Sequence, residues 1–147
     1  MQPETLPLAE KGVFKPAPRL KGPAQTASEA VQSWPGIIAA THWHLYDSAR
    51  VDGADFYFGA DELGHIHLDG EIHLATDSVL RKALIGAGLA ERFPWYKSWV
   101  QFQIADAGDA EHAAWLFRLN YDRLAGVSAQ TLLERVSARA GKEVTAG

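Results

Sequence analysis

A chain of 147 residues is long enough to bury the core of one ordinary domain, and 47% hydrophobic content with five tryptophans marks it as globular. It has no cysteine, which excludes disulfides, thiol catalysis and thiolate metal sites and suits a cytoplasmic protein. The net charge of −4 argues against a nucleic-acid partner, and no apolar run approaches the ~18 residues of a membrane span or forms a signal-peptide core.

Residues 1–24 hold five of the seven prolines and no apolar periodicity. They read as a mobile Pro-rich tail with a net charge of +2, which leaves −6 for the remainder. The sharper alternative is an arm anchored by Leu6, Leu8, Val13 and Phe14. Residues 25–126 form the expected domain. Residues 127–147 form a C-terminal helix with a frayed end beyond Gly141.

The domain opens with Thr26-Ala-Ser-Glu29, a capping box, ahead of a helix ended by Pro35-Gly36. A strand is expected over 37–46. Asp52-Gly53 is a turn candidate, and 54–58 a short strand with Phe56 and Phe58 on one face.

The stretch Glu62–Leu74, ELGHIHLDGEIHL, reads as a β-hairpin around a two-residue Asp69-Gly70 loop. That register pairs Ile66 with His73 and His65 with Leu74. His65 and His67 then share a face, roughly 7 Å apart, and His73 points away. The four strands make an antiparallel meander.

Asp77 or Thr76 caps a helix with an inner stripe of Val79, Leu80, Ala83 and Leu84, stopped at Gly88. Ser98 to Ile104 alternates as a half-buried strand, with Val100, Phe102 and Ile104 on one face and Trp99, Gln101 and Gln103 on the other. Asp109 caps a helix through Ala113, Leu116, Phe117, Asn120, Tyr121 and Leu124, stopped at Gly126. Ser128 opens a last helix with Leu132, Leu133 and Val136 in register. The fold class is α+β, a mainly antiparallel sheet of about five strands covered by helices on one face.

Several of these stretches match a known pattern. Trp34-Pro-Gly, Asp55-Phe56, Glu62 to His67, Gly88-Leu-Ala-Glu91, Ser98-Trp99-Val100 and Leu119 to Arg123 resemble a small domain of the luciferase family. The likeness covers about residues 30–124. It implies the fold, and neither light emission nor a set of catalytic residues comes with it. A looser likeness, of layout alone, is to double-wing proteins of the YjbR/MmcQ type. It implies a role with DNA, which the acidic balance opposes.

The chemistry centres on two H-x-H pairs, His42/His44 and His65/His67. Two imidazoles on one strand face can reach one divalent metal, with Asp55, Asp61 and Glu62 as nearby oxygens. The competing reading is a polar cleft in which the same histidines only form hydrogen bonds. Trp95, Tyr96 and Trp99 would rim that cleft with His65, His67 and Glu62. A Ser98–His–Glu62 triad lacks a nucleophile elbow, and Gly86 and Gly88 end a helix, so neither nucleophilic nor phosphate-loop chemistry is indicated. The functional expectation is a non-catalytic module that binds a small molecule or a protein. The alternative is a small metal-dependent enzyme using His65 and His67.

Overall fold

A computed structural model describes residues 16–44 and 46–146. The elements run α1 (Gly22–Gln32), β1 (Ile37–His44), β2 (Asp47–Phe58), β3 (Asp61–His67), β4 (Glu71–Leu74), α2 (Ser78–Gly86), β5 (Glu91–Arg92), β6 (Val100–Gln103), α3 (Ala107–Leu124) and α4 (Ala129–Ala146). One antiparallel sheet has the order β1-β2-β3-β4-β6-β5. The meander is as expected, although β2 is longer than the expected 54–58; the strand expected over 98–104 spans 100–103, and the two-residue β5 adds an edge.

One face of the sheet is apolar. Phe56, Leu63, Ile66, Ile72, Leu74 and Val100 pack with buried residues of all four helices, among them Val31, Leu84, Phe117 and Leu132. Alternation along each strand sends the intervening residues to the other face. Gly64 lets α3 approach closely: a Cβ there would lie 2.6 Å from the His73 carbonyl and 3.1 Å from Phe117. The expected inner stripe of α2 is narrower than the sequence suggests, because Leu80 and Leu84 are buried while Val79 is exposed. In α4, Leu132 and Val136 are buried and Leu133 faces outward.

Several boundaries differ from the sequence reading. α1 begins at Gly22 with Lys21 as N-cap and no side-chain cap bond, so the Thr26–Glu29 box is not used. Instead Gln25 accepts from the Leu20 amide at 2.8 Å. Leu20 and Ala24 are buried, and the Thr41 hydroxyl donates to the Pro16 carbonyl at 2.8 Å. The packed unit therefore starts inside the stretch read as tail. Tail residues 1–15, with the anchors Leu6 to Phe14, lie outside the described residues. Asp106 rather than Asp109 caps α3. Its carboxylate accepts from the Asp109 amide, and Asp109 in turn accepts from Ala105. α4 continues through Gly141.

Two corrections concern the strands that carry the histidines. Asp52-Gly53 is not a turn. It lies inside β2, and the chain reverses instead between His44 and Asp47. Gly53 is required by close approach, since a Cβ would lie 2.0 Å from the Ile66 carbonyl. The β3–β4 hairpin has a three-residue loop, Leu68-Asp69-Gly70. Gly70 alone takes a positive φ, +88°, and its amide donates to the His67 carbonyl at 2.9 Å. No described non-glycine residue has a positive φ, so Asp69 cannot sit in a type I′ turn. The Asp69 carboxylate instead accepts from the Glu71 amide.

The extra loop residue moves the register by one. His65 pairs with His73 and Ile66 with Ile72. A one-residue shift exchanges the two faces of a strand. All three hairpin histidines therefore share one face, against the expectation that His73 points away.

Two irregularities in pairing matter equally. Between β1 and β2 the register passes from His42↔Gly53 to Trp43↔Val51, skipping Asp52. Between β2 and β3 it passes from Phe56↔Gly64 to Tyr57↔Glu62, skipping Leu63. Each is a bulge of one extra residue. Each turns a carboxylate to the face that a regular strand would have denied it. The Leu63 carbonyl accepts from the Ala75 amide at 3.1 Å and from the buried Asn120 side chain at 2.9 Å.

Two substitutions check this arrangement. Gly70→Val should lower unfolding free energy by at least ~1 kcal/mol in urea titration, because its Cβ would lie 2.7 Å from the Ile104 carbonyl at a left-handed φ. Asn120→Ala should cost about 1–3 kcal/mol by the same measurement, since it removes the amide donor shared by the Leu63 and Ala75 carbonyls.

Candidate functional site

The sheet face away from the helices is lined with ionisable groups. His42 comes from β1, Asp52, Asp55 and Tyr57 from β2, Glu62, His65 and His67 from β3, and Glu71 and His73 from β4. Asp55, Tyr57 and His65 are fully buried, and His42, Glu62 and His73 nearly so. His67 is half-buried, and its partner Asp52 and the side chain of Glu71 reach the rim.

Each imidazole has one nitrogen against its own carboxylate. His42 Nδ1 lies 2.6 Å from Asp55 Oδ1, and His65 Nδ1 lies 2.8 Å from Glu62 Oε2. His67 Nδ1 lies 3.0 Å from Asp52 Oδ2, and His73 Nε2 lies 2.6 Å from Glu71 Oε1. Three of the other nitrogens point at one another: His73 Nδ1 is 3.0 Å from His65 Nε2 and 3.1 Å from His67 Nε2, while His42 Nε2 lies 4.0 Å from Asp52 Oδ2. The His42 ring stacks on His65 at 4.0 Å between centroids and meets His67 edge-on at 5.1 Å.

Ligand atoms of His42, His65 and His67 all lie within 4.8 Å of one another. Asp55, Glu62 and His65 form a second set within the same limit. Tyr57 closes the inner end, its hydroxyl donating to Asp55 at 3.3 Å. Burial, and then the charges of Asp55 and Glu62, push the ionisation of this phenol far above the usual tyrosine range.

An aromatic wall stands beside the cluster. It comes from the chain between α2 and β6, which carries β5. Phe93 lies 4.4 Å from the His73 ring and Trp99 lies 6.0 Å from His65, centroid to centroid. Tyr96 stacks on Phe93 at 5.9 Å, and exposed Trp95 meets Phe93 edge-on at 5.8 Å.

Of the residues expected to bind a ligand, His65, His67, Glu62 and Trp99 meet directly around one spot. Tyr96 touches that group through Phe93 and Trp99, and Trp95 stands outside it. His42 and Asp55, noted in the sequence as a neighbouring H-x-H and a nearby oxygen, belong to it. His44 does not: its Nδ1 accepts from the Tyr46 amide. Asp61 is exposed at the start of β3. His73, Asp52, Glu71 and Phe93 are the residues sequence reasoning left out. The first follows from the hairpin register, and Asp52 from a bulge. Glu71 was legible as the i−2 neighbour of His73 on the same strand face.

Tyr57 makes the site visible in a pH experiment. The folded state holds the phenol proton after the unfolded chain releases it near pH ~10. Tyr57 therefore adds no pH dependence below about pH 10, and stability falls as the pH rises above it. Chemical unfolding followed at pH 8 and pH 11 should show a smaller loss in Tyr57→Phe than in the wild type.

No curated protein and no solved structure matches the chain. The hairpin, the aromatic wall and most of α3 nevertheless lie inside a family match. Residues 60–120 match the family model described as Luciferase domain, the family that the sequence resembles.

Proposed function

We propose that the domain is a non-catalytic binding module that takes a small, positively charged ligand on the histidine-lined face of its sheet. The carrying observation is the charge balance of that face. Four carboxylates, Asp52, Asp55, Glu62 and Glu71, converge on four imidazoles. Neutral imidazoles leave the group strongly negative.

Burying carboxylates is costly unless each is paired, and a packed apolar face would stabilise the sheet more. A site that keeps such a group at the expense of stability is organised for a ligand of opposite charge. The aromatic wall of Phe93, Tyr96 and Trp99 favours a cation as well, because ring faces attract positive charge. Phosphate is disfavoured by the same carboxylates, which opposes the DNA role of double-wing proteins. No described helix is long and apolar enough to cross a membrane.

A small metal-dependent enzyme using His65 and His67 is the second reading. It is favoured by the same wall, which would border a substrate beside His65 and His73.

The test is a thermal-shift series on the tag-free full chain. Its probes are ammonium, methylammonium, benzylammonium, tetramethylammonium and divalent metals, each against a matched sodium salt. At least one cation class should raise Tm in proportion to the logarithm of its concentration above Kd, with about 2.7 kcal/mol of stabilisation at a hundredfold excess over Kd. Asp52→Asn and Glu71→Gln should weaken that shift. If no cation moves Tm, the reading fails, and a lower Tm of the ligand-free chain in both substitutions then marks the polar face as structural.

A further inference from the structure

We propose that the cation taken by this face is one first-row divalent transition ion, held by imidazole nitrogens of His42, His65, His67 and His73. This inference rests on the cation-binding reading above and names the class of ligand.

A neutral imidazole has one N–H and one lone pair. His65, His67 and His73 each place one nitrogen at 2.6–3.0 Å from a carboxylate oxygen, an acceptor-only group that calls for the N–H. The remaining nitrogens, His65 Nε2, His67 Nε2 and His73 Nδ1, then all carry lone pairs. Yet His73 Nδ1 lies 3.0 and 3.1 Å from the other two. Lone pairs at that distance repel unless a cation, a proton or a metal ion, sits among them.

A tetrahedral ion with ~2.0–2.1 Å bonds to nitrogen needs its ligands roughly 3.3–3.4 Å apart. The two spacings to His73 need open only by a few tenths of an ångström. His42, His65 and His67 can each offer one ligand nitrogen, all within 4.8 Å of one another, so His42 is near enough to join the set.

Metal-bound histidines ordinarily donate their second N–H to a carboxylate, which fixes the ring and raises its basicity. All four imidazoles here have that partner at 2.6–3.0 Å, with Asp55 also 3.8 Å from His65 and Asp52 also 4.0 Å from His42. A cluster that merely stabilises a sheet has no need of four such pairs. Nitrogen donors rather than oxygens face the centre, so the site suits zinc, cobalt or nickel and not magnesium or calcium. Four nitrogens also close a tetrahedral shell, as holding centres do, whereas hydrolytic centres keep one position open. Entry is at the rim, where the side chains of His67, Asp52 and Glu71 are 19, 30 and 38% exposed.

The experiment uses the tag-free full chain, stripped with a chelator. Zinc is titrated calorimetrically, and cobalt is followed through its visible ligand-field bands. One equivalent should bind with a tetrahedral cobalt spectrum, and magnesium and calcium should not compete. His67→Ala should weaken zinc at least 100-fold, Asp52→Asn about 10–100-fold, and His44→Ala not at all. X-ray absorption on the zinc-loaded wild-type chain counts imidazoles without any variant, and three or four are expected.

Failure separates the two proposals. If zinc and cobalt do not bind stoichiometrically but an organic ammonium ion still raises Tm, the metal falls and the cation-binding reading stands. If neither binds, both fall. Zinc bound with fewer than three imidazoles, or with unchanged affinity in His67→Ala, places the ion elsewhere and overturns the assignment.

Discussion

The polar face depends on one pairing, His65 opposite His73. Strand side chains alternate, so a slip of one residue between β3 and β4 would move His73 among the helices and bring Ile72 onto the polar face. The loop prevents this slip. Gly70 takes a left-handed turn that another residue would enter with strain, and the Asp69 side chain accepts from the Glu71 amide. On the far side, the Ile104 amide donates to the Gly70 carbonyl, which ties the loop to the end of β6. Ile66 and Ile72, paired on the apolar face, supply the hydrophobic reason for the same register.

The carboxylates reach the histidines through irregularity. Asp52 is three residues from Asp55, and Glu62 is three from His65. Odd separations lie on opposite faces of a regular strand. A bulge in each case brings the two onto one face. Bulges interrupt the ladder and must have their backbone groups satisfied elsewhere. At Leu63 that satisfaction comes from Ala75 and from Asn120 of α3. Asn120 in turn is held by Arg123, which also donates to the Ala75 carbonyl. The helix layer thus sets the geometry of a site on the far side of the sheet.

Much of the framework was legible in the sequence. The Asp77 cap, the Gly88 and Gly126 stops and the alternation of 100–104 are local signals, and local physics sets them. The Asp69-Gly70 dipeptide signals a loop, and a loop forms there. What it did not disclose was the loop's length, because two- and three-residue hairpins both use Asp and Gly. Asp52-Gly53 misled for a related reason. Glycine serves close approach as readily as turning, and the neighbour that demands it, the Ile66 carbonyl, belongs to another strand.

By itself the sequence determined the α+β class, the meander, the helix stops and the two H-x-H pairs, because periodicity and capping act within a few residues of each other. Only the tertiary structure decided that four histidines meet and that each has its own carboxylate. That outcome depends on strand register and on two bulges, which are set by contacts between segments distant in sequence. The sequence carried the donors. Their convergence was a property of how β1, β2, β3 and β4 slide into place against one another, with α3 holding the bulge at Leu63.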